Sequence, residues 1–172
     1  MRRNVLGFYS PPSMLSGLPD GIAGTRATLR AMARLVKQYK KDPGINLLAL
    51  DLTRGLASYD NVGEIRRLQR FVRDAVRYVM DVDGVETLRT PLVTLEYEAG
   101  DCDDKAVLFC TLAATIGYPV QFVAVGFDGE SYSHVLAAAK LGTRWIPCET
   151  IMPGVDIGWF PPKANPVMAW NI

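Results

Sequence analysis

One cysteine, the single histidine and one glutamate stand out in this sequence for the chemistry that they could do together. Cys102 lies in the stretch GDCDDKAVLF, where acidic residues flank a thiol at the start of an apolar run. His134 lies in SYSHVLAAA, and Glu149 follows fifteen residues later in IPCET. A thiol activated by an imidazole, which a carboxylate orients, can attack an amide carbonyl and form an acyl-enzyme. These three residues are therefore the candidate nucleophile, base and orienting acid.

The apolar run after Cys102 predicts the helix that would carry the nucleophile. Residues 106–116 are long enough for a helix, and a Gly-Tyr-Pro sequence marks its end. Cys102 then falls close to the helix N-terminus, where unpaired N–H groups and the helix dipole stabilise a thiolate. The backbone N–H of Cys102 would be one oxyanion donor. We expect Asp101 and Asp103 to cap amide groups of the first turn.

The histidine and the glutamate fall on two of three short predicted strands. The segments VQFVAVGF, YSHVLAAAK and RWIPCETI are separated by the turn sequences DGES and LGT. Such strands form an antiparallel meander, in which tight turns bring residues of this separation side by side. We expect Glu149 to fix the tautomer of His134 and to favour an imidazolium that holds Cys102 as a thiolate.

The elements before the cysteine are predicted to be helical. Helices are expected from Thr25, from Asp42-Pro43 and from Asn61. The third carries an apolar stripe at helical spacing, which predicts a buried face. Its members are Ile65, Leu68, Val72, Val76 and Val79. Helices followed by a meander define an α+β fold, with N-terminal helices packed on a small antiparallel sheet.

The composition predicts one domain with irregular ends. Residues 1–24 are rich in Gly, Pro and Ser and predict an extended N-terminal arm. We expect a single domain over residues 25–155, with its motifs in residues 60–155. Residues 156–172 contain several prolines and predict an irregular tail.

Charge and cysteine content restrict the partners and the location. Residues 1–80 carry 14 Lys and Arg against 6 Asp and Glu, whereas residues 81–172 carry 5 against 12. Attraction between these halves is favoured over nucleic-acid binding. No apolar run has transmembrane length, so no membrane partner is predicted. Three cysteines, with no signal peptide recognised, favour reduced thiols and a cytoplasmic or virion-associated protein.

The order of these motifs resembles the transglutaminase-like superfamily of cysteine peptidases and acyltransferases, which share a papain-like core. In that family a Gly-x-Cys opens a core helix, a histidine lies on the first strand of an antiparallel sheet, and an acidic residue follows an aromatic on the next strand. The matching residues here are Gly100, Cys102, His134, Trp145 and Glu149. The resemblance implies attack on polypeptide amide bonds, with water or an amine as acyl acceptor and with no cofactor.

Two features differ from the family pattern. The family usually has aspartate as its third residue, whereas this chain has Glu149, with Asp156 as the alternative. A further oxyanion donor is expected from a side chain upstream of the cysteine, and Tyr78 is the candidate. The sequence also resembles small members encoded among phage structural genes.

Other interpretations of the same residues remain. A structural or assembly protein of a phage particle could use this fold without activity, with phage structural proteins as its partners. Cys102 would then be a helix-cap residue, His134 a strand residue with its hydrogen bonds satisfied, and Glu149 a surface residue. Cys110 is expected in the core and Cys148 away from the His134–Glu149 pair. The cysteine spacing lacks the close ligand pairs of a zinc site, so no metal is predicted.

Overall fold

The computed structural model describes residues 13–15, 21–80 and 86–172. The helices are α1 (Gly21–Tyr39), α2 (Pro43–Thr53), α3 (Asn61–Ala75), α4 (Pro91–Tyr97) and α5 (Cys102–Thr115). The short strands outside the main sheet are β1 (Ser13–Leu15), β2 (Arg77–Tyr78), β3 (Glu86–Leu88) and β4 (Ala99–Gly100). The main sheet consists of β5 (Val120–Val125), β6 (His134–Leu141), β7 (Arg144–Cys148) and β8 (Val167–Asn171).

Helix α5 is the centre of the molecule. Every residue from Asp104 to Ala113 is buried, because α5 contacts helices on one side and strand β6 on the other. Helix α3 packs on α5 through the predicted apolar stripe, of which Ile65, Leu68 and Val72 are fully buried. A central helix between a helical layer and a sheet gives the α+β arrangement that the sequence predicts.

The main sheet is an antiparallel meander with one added strand. Its order is β7-β6-β5-β8, so the histidine-bearing strand β6 lies between β5 and β7. Val125 of β5 pairs with His134 of β6, and Ala137 of β6 pairs with Cys148 at the end of β7. The candidate histidine and glutamate therefore lie at the same end of neighbouring strands.

The chain departs from the sequence expectations at three places. The tail predicted as irregular contains β8, which pairs with β5 and has alternately exposed and half-buried residues. The region before the cysteine, where no helix was predicted, contains α4, whose N-cap Thr90 accepts a hydrogen bond from Val93 N–H at 3.3 Å. Val79, the last residue of the predicted stripe, is exposed because α3 ends at Ala75.

The predicted N-terminal arm lies largely outside the described residues. Within it, Ser13–Leu15 forms β1 and pairs with β3, and α1 begins at Gly21 instead of Thr25. Among the described residues, no helix combines the length and the apolar character needed to span a membrane.

Candidate active site

The candidate nucleophile is the first residue of α5. Asp101 is the N-cap, and its carboxylate accepts a hydrogen bond from Asp104 N–H at 2.9 Å. Asp103 and Asp104 lie in the first turn, where the positive end of the helix dipole stabilises negatively charged carboxylates. Gly100 packs against this turn, since a Cβ there would lie 2.6 Å from the Cβ of Asp104. The Gly-x-Cys spacing thus brings a strand end and a helix start into close contact.

His134 and Glu149 form a direct hydrogen bond. Nε2 of His134 lies 2.8 Å from Oε2 of Glu149, and the side chains are 11% and 0% exposed. A carboxylate can only accept, so Nε2 carries the proton and Nδ1 is the basic nitrogen of the neutral ring. The buried carboxylate of Glu149 therefore lies against the imidazole of His134, as expected from their positions on neighbouring predicted strands.

The surroundings of Glu149 favour its charged form. Burial alone would raise its pKa, but the hydrogen bond and the charge of His134 oppose that effect. The backbone N–H groups of Ile151 and Thr150 also bond to the carboxylate, with Ile151 N at 2.7 Å from Oε1. The net result is a pKa below the usual value, so Glu149 is ionised at neutral pH.

The sulfur of Cys102 lies beside strand β6 and beside an acidic neighbour. A hydrogen bond from the backbone N–H of Val135, the residue after His134, lowers the pKa of Cys102. On the other side, the thiol donates to Oδ1 of Asp103 at 3.4 Å. The nucleophile helix and the histidine strand therefore meet at the sulfur.

The expectation that Cys102 rests as a thiolate is wrong. Burial raises its pKa well above the ordinary value, and the charges of Asp103 and Asp101 raise it further. The hydrogen bond from Val135 opposes these effects without reversing them. A helix N-terminus favours an anion, but two carboxylates beside a desolvated sulfur outweigh it, so the resting group is a thiol.

The structure separates the remaining candidates from this site. Asp156, the alternative carboxylate, pairs with Arg66 at 2.9 Å and Arg70 at 3.5 Å, while His134 bonds to Glu149. Cys110 and Cys148 are free thiols buried in the core. Burial raises the pKa of Cys148 to about 12, which leaves it unreactive at neutral pH.

Tyr78 is 46% exposed and lies on a strand that pairs with the residues just before the candidate nucleophile. Strand β2 pairs with β4 in register Tyr78 to Gly100, two residues before the cysteine. Burial and the nearby negative charges of Cys102, Asp101 and Asp103 raise the pKa of Tyr78. The phenol therefore keeps its proton and can donate a hydrogen bond at neutral pH.

Two buried polar side chains near the site were not identified from the sequence. Gln69 of α3 is fully buried, and its Nε2 donates to the backbone oxygen of Glu149 at 2.7 Å. Lys105 of α5 is 1% exposed, and its Nζ donates to the backbone oxygens of Arg73 and Val76 at 3.2 and 2.5 Å. A glutamine beside the apolar stripe of α3 and a lysine directly before the apolar run of α5 were the available signals.

Within the described ranges, no group of three or more His, Cys, Asp or Glu residues is arranged to hold a metal ion.

The chain belongs to the transglutaminase-like superfamily, because the profile of that family matches residues 48–150. This range contains α3, α5 and the strands that carry His134 and the residues before Glu149. Comparison with curated proteins gives no match.

Two solved structures share the fold at low sequence identity, and a third resembles the chain more loosely. A candidate cysteine protease from Cytophaga hutchinsonii has a TM-score of 0.54 and 15% identity, over 70% of this chain and 42% of that one. A candidate protease from Parabacteroides distasonis has a TM-score of 0.58 and 13% identity, over 72% and 26% of the two chains. LapG from Legionella pneumophila has a TM-score of 0.48 and 14% identity, over 86% and 79%. The chain thus spans less than half the length of the first two structures.

Proposed function

We propose that the protein is a cysteine enzyme that cleaves or transfers the acyl group of polypeptide amide bonds. The observation that carries this proposal is the buried hydrogen bond of 2.8 Å between His134 and Glu149, beside a sulfur that contacts Val135 N–H. Membership of the transglutaminase-like superfamily supports the same chemistry. Cys102 is the nucleophile, His134 the base and Glu149 the orienting acid.

The first step forms a thioester. As the sulfur attacks the amide carbonyl, the thiol proton passes to Nδ1 of His134, because a resting thiol must lose its proton during attack. The carbonyl electrons move to oxygen, where the N–H of Cys102 and the phenol of Tyr78 donate hydrogen bonds. The C–N bond then breaks, and the leaving nitrogen takes the proton from His134.

The second step sets the type of reaction. His134 removes a proton from water or from an amine as that acceptor attacks the thioester, and the sulfur leaves with the proton returned. Water gives a peptidase or amidase, and an amine gives a transglutaminase. Glu149 keeps its charge throughout and stabilises the imidazolium between the two transfers.

Thiol labelling with iodoacetamide tests this proposal. Cys110 and Cys148 are buried, so fast labelling should occur at Cys102 alone and be absent in Cys102→Ala. We expect His134→Ala to lower the labelling rate of Cys102 about tenfold or more near pH 8, because the base is lost. A phage structural protein on the same fold requires no such difference. Equal rates in native protein and His134→Ala would contradict the enzymatic function.

A further inference from the structure

We propose that Gln69 is a positioning residue that holds Glu149, and through it His134, in place for the chemistry at Cys102. This inference rests on the proposed function and adds a residue to that site. Gln69 lies on α3, 80 positions before Glu149, and its side chain is fully buried. It contacts the main chain of the orienting acid instead of the substrate or the reacting atoms.

The backbone of Glu149 needs such a contact because it lies beyond the strand. The β6–β7 ladder ends with the pair Ala137 and Cys148, so Glu149 follows the last paired residue. Its carbonyl oxygen instead accepts the hydrogen bond of 2.7 Å from Nε2 of Gln69. The same Nε2 donates to the carbonyl of Val155 at 3.2 Å, which closes the loop after β7 onto α3.

The orientation of the Gln69 amide follows from its partners. Both contacts are carbonyl oxygens, which only accept, so the nitrogen must face them. The oxygen Oε1 is then left without a partner in the part of the chain that the structure describes. An apolar side chain of similar size would fill this space without an unpaired oxygen. What the amide supplies is the donor to Glu149, which a methionine or leucine lacks.

Helix α3 also holds the nucleophile helix. Lys105, one turn after Cys102, donates to the carbonyls of Arg73 and Val76 at the end of α3. Gln69 is one turn before Arg73 on the same helix. The nucleophile and the orienting acid are thus both tied to α3, so loss of the Gln69 contact frees one of them relative to the other.

The single histidine makes the test specific. In the ¹⁵N-labelled protein, the Nε2–H proton of His134 reports its hydrogen bond to Glu149 without overlap from other histidines. In Gln69→Leu and Gln69→Met we expect this proton to exchange with water at least about tenfold faster than in the native protein. We also expect the labelling rate of Cys102 to fall about tenfold.

Thr111→Val is the matched control. Thr111 is fully buried on α5, more than two turns after Cys102, and its Oγ1 donates to the backbone oxygen of Val107 at 2.7 Å. This variant removes a buried hydrogen bond from a side chain to a main-chain carbonyl without touching Glu149 or His134, so both signals should stay at native values. Folded Gln69 variants with native His134 exchange and native Cys102 labelling would overturn the proposal.

Native protein provides a second measurement if neither Gln69 variant folds. The side-chain amide of Gln69 and the Nε2–H of His134 should then exchange through one opening, with the same dependence on low denaturant concentrations. Different dependences would overturn the positioning role. The two proposals can fail separately. An ordinary labelling rate at Cys102 in the native protein would contradict the proposed function, whereas the exchange of the His134 proton tests the role of Gln69 whatever that rate is.

Discussion

The acidic residues around Cys102 have two separable effects. Asp101 caps α5 by accepting from Asp104 N–H, which stabilises the helix start that presents the sulfur. Burial is the main cause of the raised pKa of Cys102, and the charges of Asp103 and Asp101 raise it further. Asp103 also accepts the thiol hydrogen bond at 3.4 Å. Asp101 thus caps the helix while its charge disfavours the thiolate, and Asp103 holds Cys102 in its less reactive form. His134 must therefore compete with Asp103 for the thiol proton during attack.

This competition predicts that Asp103→Asn activates the thiol. Because the pKa of Cys102 is raised, its labelling rate should increase with pH, and removal of the carboxylate should shift that increase to lower pH. We expect labelling of Asp103→Asn to be about three- to tenfold faster at pH 7.5, since a lower pKa gives more thiolate but a weaker nucleophile. Stopped-flow labelling across pH 6 to 10 measures the shift.

Asp128→Asn is the charge-matched control for this variant. Asp128 lies in the exposed turn before β6, where its hydrogen bond with Ser131, followed by those of the Glu130 and Ser131 amides, lowers its pKa to about 2. Its loss changes the net charge equally without touching Cys102, so the labelling profile should remain native. A profile for Asp103→Asn that matches the native one would show that Asp103 does not restrain the thiol.

At the element scale, the contact between α3 and α5 depends on a buried lysine. Burial lowers the pKa of Lys105 to about 8, although the charges of Asp74 and Glu149 oppose this effect. Nζ bonds to the carbonyls of Arg73 and Val76, which are orphan acceptors at the C-terminus of α3. Lys105 therefore caps α3 at the cost of desolvating an ammonium group.

The variant Lys105→Met should reveal this cost in the pH dependence of the free energy of unfolding. A folded pKa below the unfolded value means that the unfolded chain binds more protons, so the lysine contribution to stability rises as pH rises from 7 to 10. The free energy of unfolding of native protein, minus that of Lys105→Met, should increase by about 2 kcal/mol over this range. Both proteins contain the same three cysteines, whose pKa values are raised by burial. Their contribution to the pH dependence of stability therefore cancels when the two free energies are subtracted.

Urea unfolding at each pH gives the two free energies, and Lys140→Met is the control. Lys140 is exposed on β6, with Nζ 6.0 Å from the centre of the Trp145 ring. The same subtraction with Lys140→Met should show no such increase. A constant difference for Lys105→Met would mean that the ammonium is not destabilised by burial.

The sequence predictions were accurate where the residues that define an element lie close together in the chain. Strands β5 to β7 and helix α5 were predicted because turns and a helix stop lie beside them in the chain, and the structure confirms them. Helix α4 was missed, although Thr90-Pro91 is a cap and first-turn pair, because the whole helix has only seven residues. Strand β8 was missed because its partner β5 is far away in the sequence. The sequence order suggested the contact between His134 and Glu149, but the raised pKa of Cys102 depends on burial that no pattern displays.

For the whole molecule, a few contacts between distant parts of the chain pair charges of the basic half with charges of the acidic half. Arg66 and Arg70 of α3 pair with Asp156, and Arg67 donates to the carbonyls of Leu52 and Arg54 at the end of α2. These contacts join the basic half to the acidic half and to itself. The surface pairs are partly exposed, so each contributes little to stability. The fold therefore depends mainly on apolar packing between the helices and the sheet.

Strand β8 gives a direct test of this conclusion, because it brings the end of the described chain onto the sheet. Met168, Trp170 and Ile172 pack against the core, whereas Val167 is 50% exposed on the other face. Trp170→Ala should lower the free energy of unfolding by about 2 kcal/mol, less than a fully buried tryptophan would cost. Val167→Ala, on the same strand, should change it by less than about 0.5 kcal/mol. Urea unfolding followed by circular dichroism measures both. Equal losses for the two variants would mean that β8 contributes its backbone pairing with β5 but no apolar packing.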